Sequence, residues 1–277
     1  MKFGYNTNGW QGTSIDTAVD RLARLGYEAV EIAPLRDQLD PERWTPTEAS
    51  RIRRLVADSG MIVSNLHAGV RGLIADEHSL IAVAPVSRAI RVDLIERAVD
   101  FAAELGTDLV CVTSGAIPQT SSIGDAWSRL VDGLEACAQY ARPRGIRIAL
   151  EPEPELFIKS VFEYLELRRR LGEGVEIGLN LDIGHSQCLF EDIPAIIQEL
   201  APLIWHVHVE DIAARVHRHL VPGQGQVNFH GIGRALAETG YGRAVSMELM
   251  EHSAEAEEVA RHSLAVMRTW RRSIRAA

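Results

Sequence analysis

The chain has 277 residues, 46% hydrophobic and 24% charged, an ordinary globular composition, and its length suits either two domains or one large α/β barrel. A formal net charge of −9 argues against nucleic acid as the main partner, because phosphate binding needs a basic surface. No stretch is apolar for long enough to span a bilayer, so no membrane partner is expected either.

In chain order, one unit repeats: a helical stretch, a glycine, then a short β-rich run. KFGYN gives a first strand at 2–6. Ser14 caps a helix over 15–25, with Ile15, Val19, Leu22 and Leu25 on one face and Gly26 ending it. A strand at 28–33, a helix at 46–59 and a strand at 61–67 follow, then a longer loop over 68–86. The helix 87–105 carries Ile90, Leu94, Ala98, Phe101 and Leu105 at helical spacing, and Gly106 ends it. Strands at 108–114, 146–152 and 176–182 alternate with helices at 122–142 and 160–171. The chain finishes with helix 191–200, strand 203–209, loop 210–228, helix 229–239, strand 244–249 and helix 253–273. Strict alternation without a linker implies a parallel sheet in one domain, residues 1–277. Eight units in roughly 250 residues is the size of a closed (β/α)8 TIM barrel.

Cys111, Cys137 and Cys188 show no metal or disulfide spacing and read as reduced, buried thiols of a cytoplasmic protein. MKFGYNTNGW lacks the apolar core of a signal peptide.

The stretch GLNLDIGH, 178–185, locates the chemistry. Leu179, Leu181 and Ile183 share one face of a strand, and Asn180 and Asp182 share the other. In a barrel the active site lies at the C-terminal ends of the strands, so the last inward residue of each strand matters. The fifth strand sends Arg147, Ala149 and Glu151 inward; the sixth, Asn180 and Asp182. The seventh gives Ile204, His206 and His208, and the eighth Ser246 and Glu248. Glu151, Asp182, His208 and Glu248 therefore point into one space, a donor set for a divalent cation. The competing reading is a buried salt-bridge network around Arg147, which leaves charge unpaired. His67 ends the third strand, His185 follows Asp182 by three residues, and His217 and His219 stand in HRHLVPGQGQ. Together they suit substrate contacts or a second metal.

On these residues the chain resembles the xylose isomerase-like superfamily of sugar isomerases and epimerases, which includes the endonuclease IV type. LGYEAVEI, ALEPE, LDIGH, the HVH–ED pair and HLVPGQGQVNF carry the resemblance over nearly the whole chain. It implies a metal-dependent isomerase or epimerase of a sugar, cyclitol or keto-sugar, acting through an enediolate. Ketose 3-epimerases bind Mn²⁺, Co²⁺ or Mg²⁺ through residues matching Glu151, Asp182, His208 and Glu248. The two glutamates exchange a proton with the substrate carbon. Manganese is the expected cation and a homodimer the expected assembly. His185 then holds a substrate oxygen, Trp10 forms an apolar wall for the sugar ring, and Glu31 and Glu153 bond a ligand or its supports.

The endonuclease IV type holds three zinc ions, and its ligands match His67, His185 and His219 in part. Thr113 stands where that type has a histidine, and His217 where it has an aspartate. Phe157 stands where the ketose epimerases have a substrate-binding glutamate. The alternative functions are a metal-dependent hydrolase or lyase on the same ligands, including glycosidic C–O cleavage; an endonuclease IV-type phosphodiesterase, which adds bound zinc and a basic groove; and a sugar-binding barrel that keeps the pocket without needing the metal.

Overall fold

All eight strands form within two residues of their expected ends: β1 (Lys2–Asn6), β2 (Ala29–Ile32), β3 (Ile62–His67), β4 (Leu109–Val112), β5 (Arg147–Leu150), β6 (Ile177–Asp182), β7 (Ile204–Val209) and β8 (Ala244–Met247). The computed structural model describes residues 1–69 and 77–275; residues 70–76 of the expected loop 68–86 lie outside the described residues. Each strand pairs in parallel with the next in sequence, and β8 returns to β1, so the barrel is closed. This is the (β/α)8 architecture read from the sequence.

The helices are α1 (Ile15–Leu25), α2 (Arg36–Leu39), α3 (Pro46–Asp58), α4 (Pro85–Leu105), α5 (Ile123–Ala141), α6 (Val161–Arg170), α7 (Ile183–Cys188), α8 (Ile193–Leu200), α9 (Phe229–Glu238) and α10 (Ala256–Arg275). The local signals act as expected at α1. Ser14 accepts from the Thr17 N–H, and Gly26 takes φ +94° and returns its N–H to Leu22 and Ala23. The short helices α2 and α7 were not expected. Asp182 starts α7: its Oδ1 accepts the His185 N–H at 2.7 Å, so a strand-end carboxylate also caps a helix.

Alternation decides the two faces of the barrel wall. Ile148, Leu150, Leu179, Leu181, Val207, Val209, Met247 and Leu249 are buried in the main core beneath the helices. One inward assignment is corrected. Between β6 and β7 the register shifts, from Leu179 opposite Ile204 to Asn180 opposite His206, so Trp205 is an extra residue. Ile204 joins the helix-side core, and Trp205 packs with Leu109, Cys111 and Ala149 inside the barrel. A Cβ on Gly178 would lie 2.1 Å from the Trp205 ring, so this plug requires glycine there.

The Arg147 network is also corrected. Arg147 stacks on Trp205, 5.0 Å from the ring centroid, and pairs with Asp108 at the opposite end of the barrel from Glu151. Four residues of strand separate Arg147 from Glu151, about 13 Å. The three cysteines are buried and free. Among the described residues no helix is long and apolar enough to cross a membrane.

Candidate metal centre

The ladder continues one residue past β5 and β8: Glu151 N–H bonds the Val112 carbonyl, and Glu248 N–H the Val209 carbonyl. Asp182 and His208 lie opposite each other in register. The period of two then turns all four side chains inward. His208 Nδ1 lies 3.0 Å from Glu151 Oε1, 3.2 Å from Glu248 Oε2 and 3.8 Å from Asp182 Oδ2. Donors about 2.1 Å from one cation sit roughly 3 to 3.5 Å from one another, so the set fits a divalent ion. The orphaned atoms agree. Asp182 Oδ2 and both ring nitrogens of His67 are buried without a hydrogen-bond donor or acceptor of proper alignment among the described residues. His67 Nε2 lies only 2.9 Å from Glu151 Oε2, but off the line a hydrogen bond needs.

A second layer holds these donors. Glu31, fully buried at the end of β2, accepts from His208 Nε2 at 2.9 Å and from His206 Nε2 at 2.8 Å, while Asn65 donates to it at 3.0 Å. With Nε2–H committed to Glu31, the Nδ1 lone pair of His208 is left for the cluster. Asn6 and Asn8 both donate to Glu248 Oε1, at 3.1 and 2.8 Å. Glu210 is fully buried, its carboxyl packed onto Gly184, where a Cβ would lie 1.7 Å from Oε1. No N–H or hydroxyl among the described residues reaches Glu210. Burial and the neighbouring Asp182 carboxylate push Glu210 well above the usual carboxylate range.

The electrostatics are those of acids balanced by imidazoles. Burial opposes ionisation of Glu151 and Glu248, but His208 outweighs it and holds both below the usual range. Burial likewise opposes the charge on His67, yet Glu151 and Glu248 raise it to about 9. His208 is raised well above an ordinary histidine by Glu248, Glu31 and Glu151, against the effect of burial. The acids thus favour the charged form of the rings, and the rings favour the charged form of the acids.

Above the four donors opens a cavity of about 340 Å³. Glu151, Glu248, His67, His185, His217, His219 and Glu153 line it, with Thr113 and Asn8. His185 Nδ1 bonds the Pro152 carbonyl at 2.9 Å and His219 Nδ1 the Glu248 carbonyl at 2.8 Å, which fixes both rings. His217 lies between them, its Nε2 3.3 Å from His219 Nε2 and its ring centroid 4.6 Å from that of His185. These three rings are a second group within ligating distance of one another.

Trp10 is corrected: it is buried against Tyr5, ring centroids 6.4 Å apart, and does not line the cavity. The chain turns into a single 3-10 turn, Thr7–Trp10, directly after β1, and that turn brings Asn8 to the cavity in its place. Phe157 packs on Trp127, ring centroids 5.0 Å apart. Asn6, Asn8 and Glu210 were not assigned from sequence. The inward phase of β1 reaches Asn6, and the phase of β7 carried past His208 reaches Glu210, so the signal for both was present.

Fructoselysine 3-epimerase of Shigella flexneri is 22% identical to this chain over 257 residues, covering 90% of each protein. A solved L-ribulose 3-epimerase superposes with a TM-score of 0.81 at 21% identity, covering 98% of this chain and 96% of that one. The IOLI protein, solved with a bound zinc atom, superposes with a TM-score of 0.79 at 19% identity, covering 98% of both chains. At these identities the structures share the fold. Residues 19–270 match the family described as xylose isomerase-like TIM barrel, and the chain belongs to that family.

Proposed function

We propose that the chain is a divalent-metal-dependent isomerase or epimerase of a small sugar-like molecule, a keto-sugar or cyclitol. The reaction moves a proton next to a carbonyl through an enediolate. The observation that carries this reading is the pair Glu151 and Glu248, which reach the same His208 Nδ1, at 3.0 and 3.2 Å, from non-neighbouring strands. Fructoselysine 3-epimerase and L-ribulose 3-epimerase, similar along nearly the whole chain, support the reaction class. The zinc atom in the IOLI structure supports a cation.

Glu151, Asp182, His208 and Glu248 would hold the metal, manganese first, with magnesium, cobalt or zinc suited to the same donors. When bound, it supplies Lewis-acid polarisation of the substrate carbonyl. One glutamate removes the proton α to the carbonyl and the other delivers one to the opposite face. His67 beside Glu151 and the amides of Asn6 and Asn8 on Glu248 hold the two carboxylates for that exchange. With Nδ1 held by the Pro152 carbonyl, His185 would offer Nε2 to a substrate oxygen. The reading sets the enzyme in the cytoplasm as a homodimer, without nucleic acid or membrane partners, in keeping with an acidic chain and free buried cysteines.

Solvent-deuterium exchange into a panel of ketoses and inososes, with added Mn²⁺, tests it. Glu151→Gln and Glu248→Gln each lower exchange by at least about 10²-fold with unchanged circular dichroism, and chelation abolishes it in the unmodified protein. Full exchange in either variant removes the proton-transfer pair. Full exchange after chelation removes the metal.

A further inference from the structure

The two histidines His217 and His219 do not come from a barrel strand. They sit in the excursion between β7 and α9, and sequence gives no reason for such a loop to hold a fixed shape. Asp211, immediately after Glu210 and 1% exposed, supplies one. Its Oδ2 accepts the N–H groups of Gly223 and Gly225, both at 2.8 Å. Its Oδ1 accepts those of Ile212 at 2.9 Å and Val227 at 3.0 Å. Its backbone pairs with Leu220 in both directions, the residue next to His219. One carboxylate thus gathers both ends of the excursion, residues 212 and 223–227, around itself.

Side chains from the β8–α10 connection and α10 brace the outer side. His252 Nε2 bonds the His219 carbonyl at 2.9 Å, His262 Nε2 bonds the Pro222 carbonyl at 2.8 Å, and Arg218 pairs with Glu251 at 2.9 Å. The closeness of Gly225 to Asp211 leaves no room for a side chain: a Cβ there would lie 2.3 Å from Asp211 Oδ1 and 2.5 Å from the Ile212 carbonyl oxygen.

We propose that Asp211 is a positioning residue, whose four amide bonds hold the 212–227 excursion as a rigid arm that delivers His217 and His219 to the substrate cavity. The proposal rests on the reading of that cavity as the substrate site. A buried carboxylate that accepts several backbone N–H groups is strongly held, and a catalytic or binding group that moves by about 1 Å loses up to about 100-fold in rate.

Two measurements test it. In the unmodified protein, hydrogen exchange of the Ile212, Gly223, Gly225 and Val227 amides is as slow as that of the barrel strands; exchange at exposed-loop rates overturns the proposal without any variant. In Asp211→Asn, an N–H donor faces one of the two amide pairs, Gly223 and Gly225 or Ile212 and Val227, and the arm shifts. The ¹⁵N-histidine spectrum then loses the hydrogen-bonded His219 Nδ1–H signal, assigned with His219→Gln. Turnover of the ketose that exchanges fastest in the panel falls about 10- to 100-fold in kcat/KM, with Mn²⁺ stoichiometry unchanged. Gly225→Ala, which perturbs the same contact from the other side, gives the same spectral and kinetic change. A retained His219 signal with kcat and KM within about twofold of the parent overturns the role of Asp211. Absence of bound Mn²⁺ in the unmodified protein overturns the metal-dependent reading and leaves the exchange and spectral results on the arm to stand or fall separately.

Discussion

The two ends of the barrel are filled by opposite means. At the N-terminal end, Trp205 closes the interior over Gly178, and the charges there lie at the surface: Asp108 is paired with Arg147 and Arg243, its side chain 52% exposed. At the C-terminal end, Glu31, Glu151, Asp182, Glu210 and Glu248 are buried with His67, His185, His206, His208 and His219. The first end resembles any packed interior with a solvated rim. The second keeps ionisable groups away from water, where each unpaired charge is costly, and a fold retains such a cluster only if the groups satisfy one another or a bound cation. Stability and chemistry are thus separated along one barrel axis.

A matched pair of glycine substitutions sharpens this contrast most. On the proposed metal site, Gly184→Ala drives a Cβ to 1.7 Å from Glu210 Oε1, displaces the acid beside Asp182, and weakens Mn²⁺ binding about 10- to 100-fold. Gly178→Ala forces the Trp205 plug outward and costs about 1–3 kcal/mol of stability while Mn²⁺ affinity stays at its original value. Calorimetric metal titration with urea unfolding checks both, and equal loss of metal affinity in the two variants breaks the separation.

Proton competition is the next effect in size. The acids around His208 raise it well above an ordinary histidine, so on the proposed metal site a proton competes with the cation for Nδ1. Metal affinity therefore rises with pH, about tenfold per unit for one released proton, and levels off above the pKa of His208. Titration at about pH 6 and about pH 8 measures the slope; a flat profile means that His208 is already neutral.

The smallest effect belongs to the exposed end. Burial raises Asp108 but Arg243 and Arg147 outweigh it and hold its carboxyl below the usual range. The stabilisation is complete above the pKa of Asp108 in the unfolded chain and disappears as pH falls through its lower folded value. Because these side chains are solvated, Arg147→Ala costs less than about 1 kcal/mol at neutral pH and less still in acid, with metal binding unaffected. Urea unfolding at the two pH values reads the difference.

Much of the site could be read before any coordinates. Glu151, Asp182, His208 and Glu248 were recovered by counting in twos along β-rich runs, because a strand has no other way to present its side chains. The same rule failed at Ile204, since the bulge at Trp205 arises from how β6 and β7 share hydrogen bonds, which neither segment encodes alone. It failed for Trp10 because the strand had already ended at Asn6 and the period changed to that of a 3-10 turn.

The amino-acid order by itself determined the alternation of strand and helix, the closed barrel and the inward phase of Glu151, Asp182, His208 and Glu248, because these follow from local periodicity and capping. Only the tertiary structure decided which neighbours each donor has: Glu31 on His208, Asn6 and Asn8 on Glu248, Glu210 on Asp182 and the amides of a distant loop on Asp211. Those contacts join residues up to 242 positions apart, and closure of the barrel, rather than any local preference, brings them within hydrogen-bonding distance.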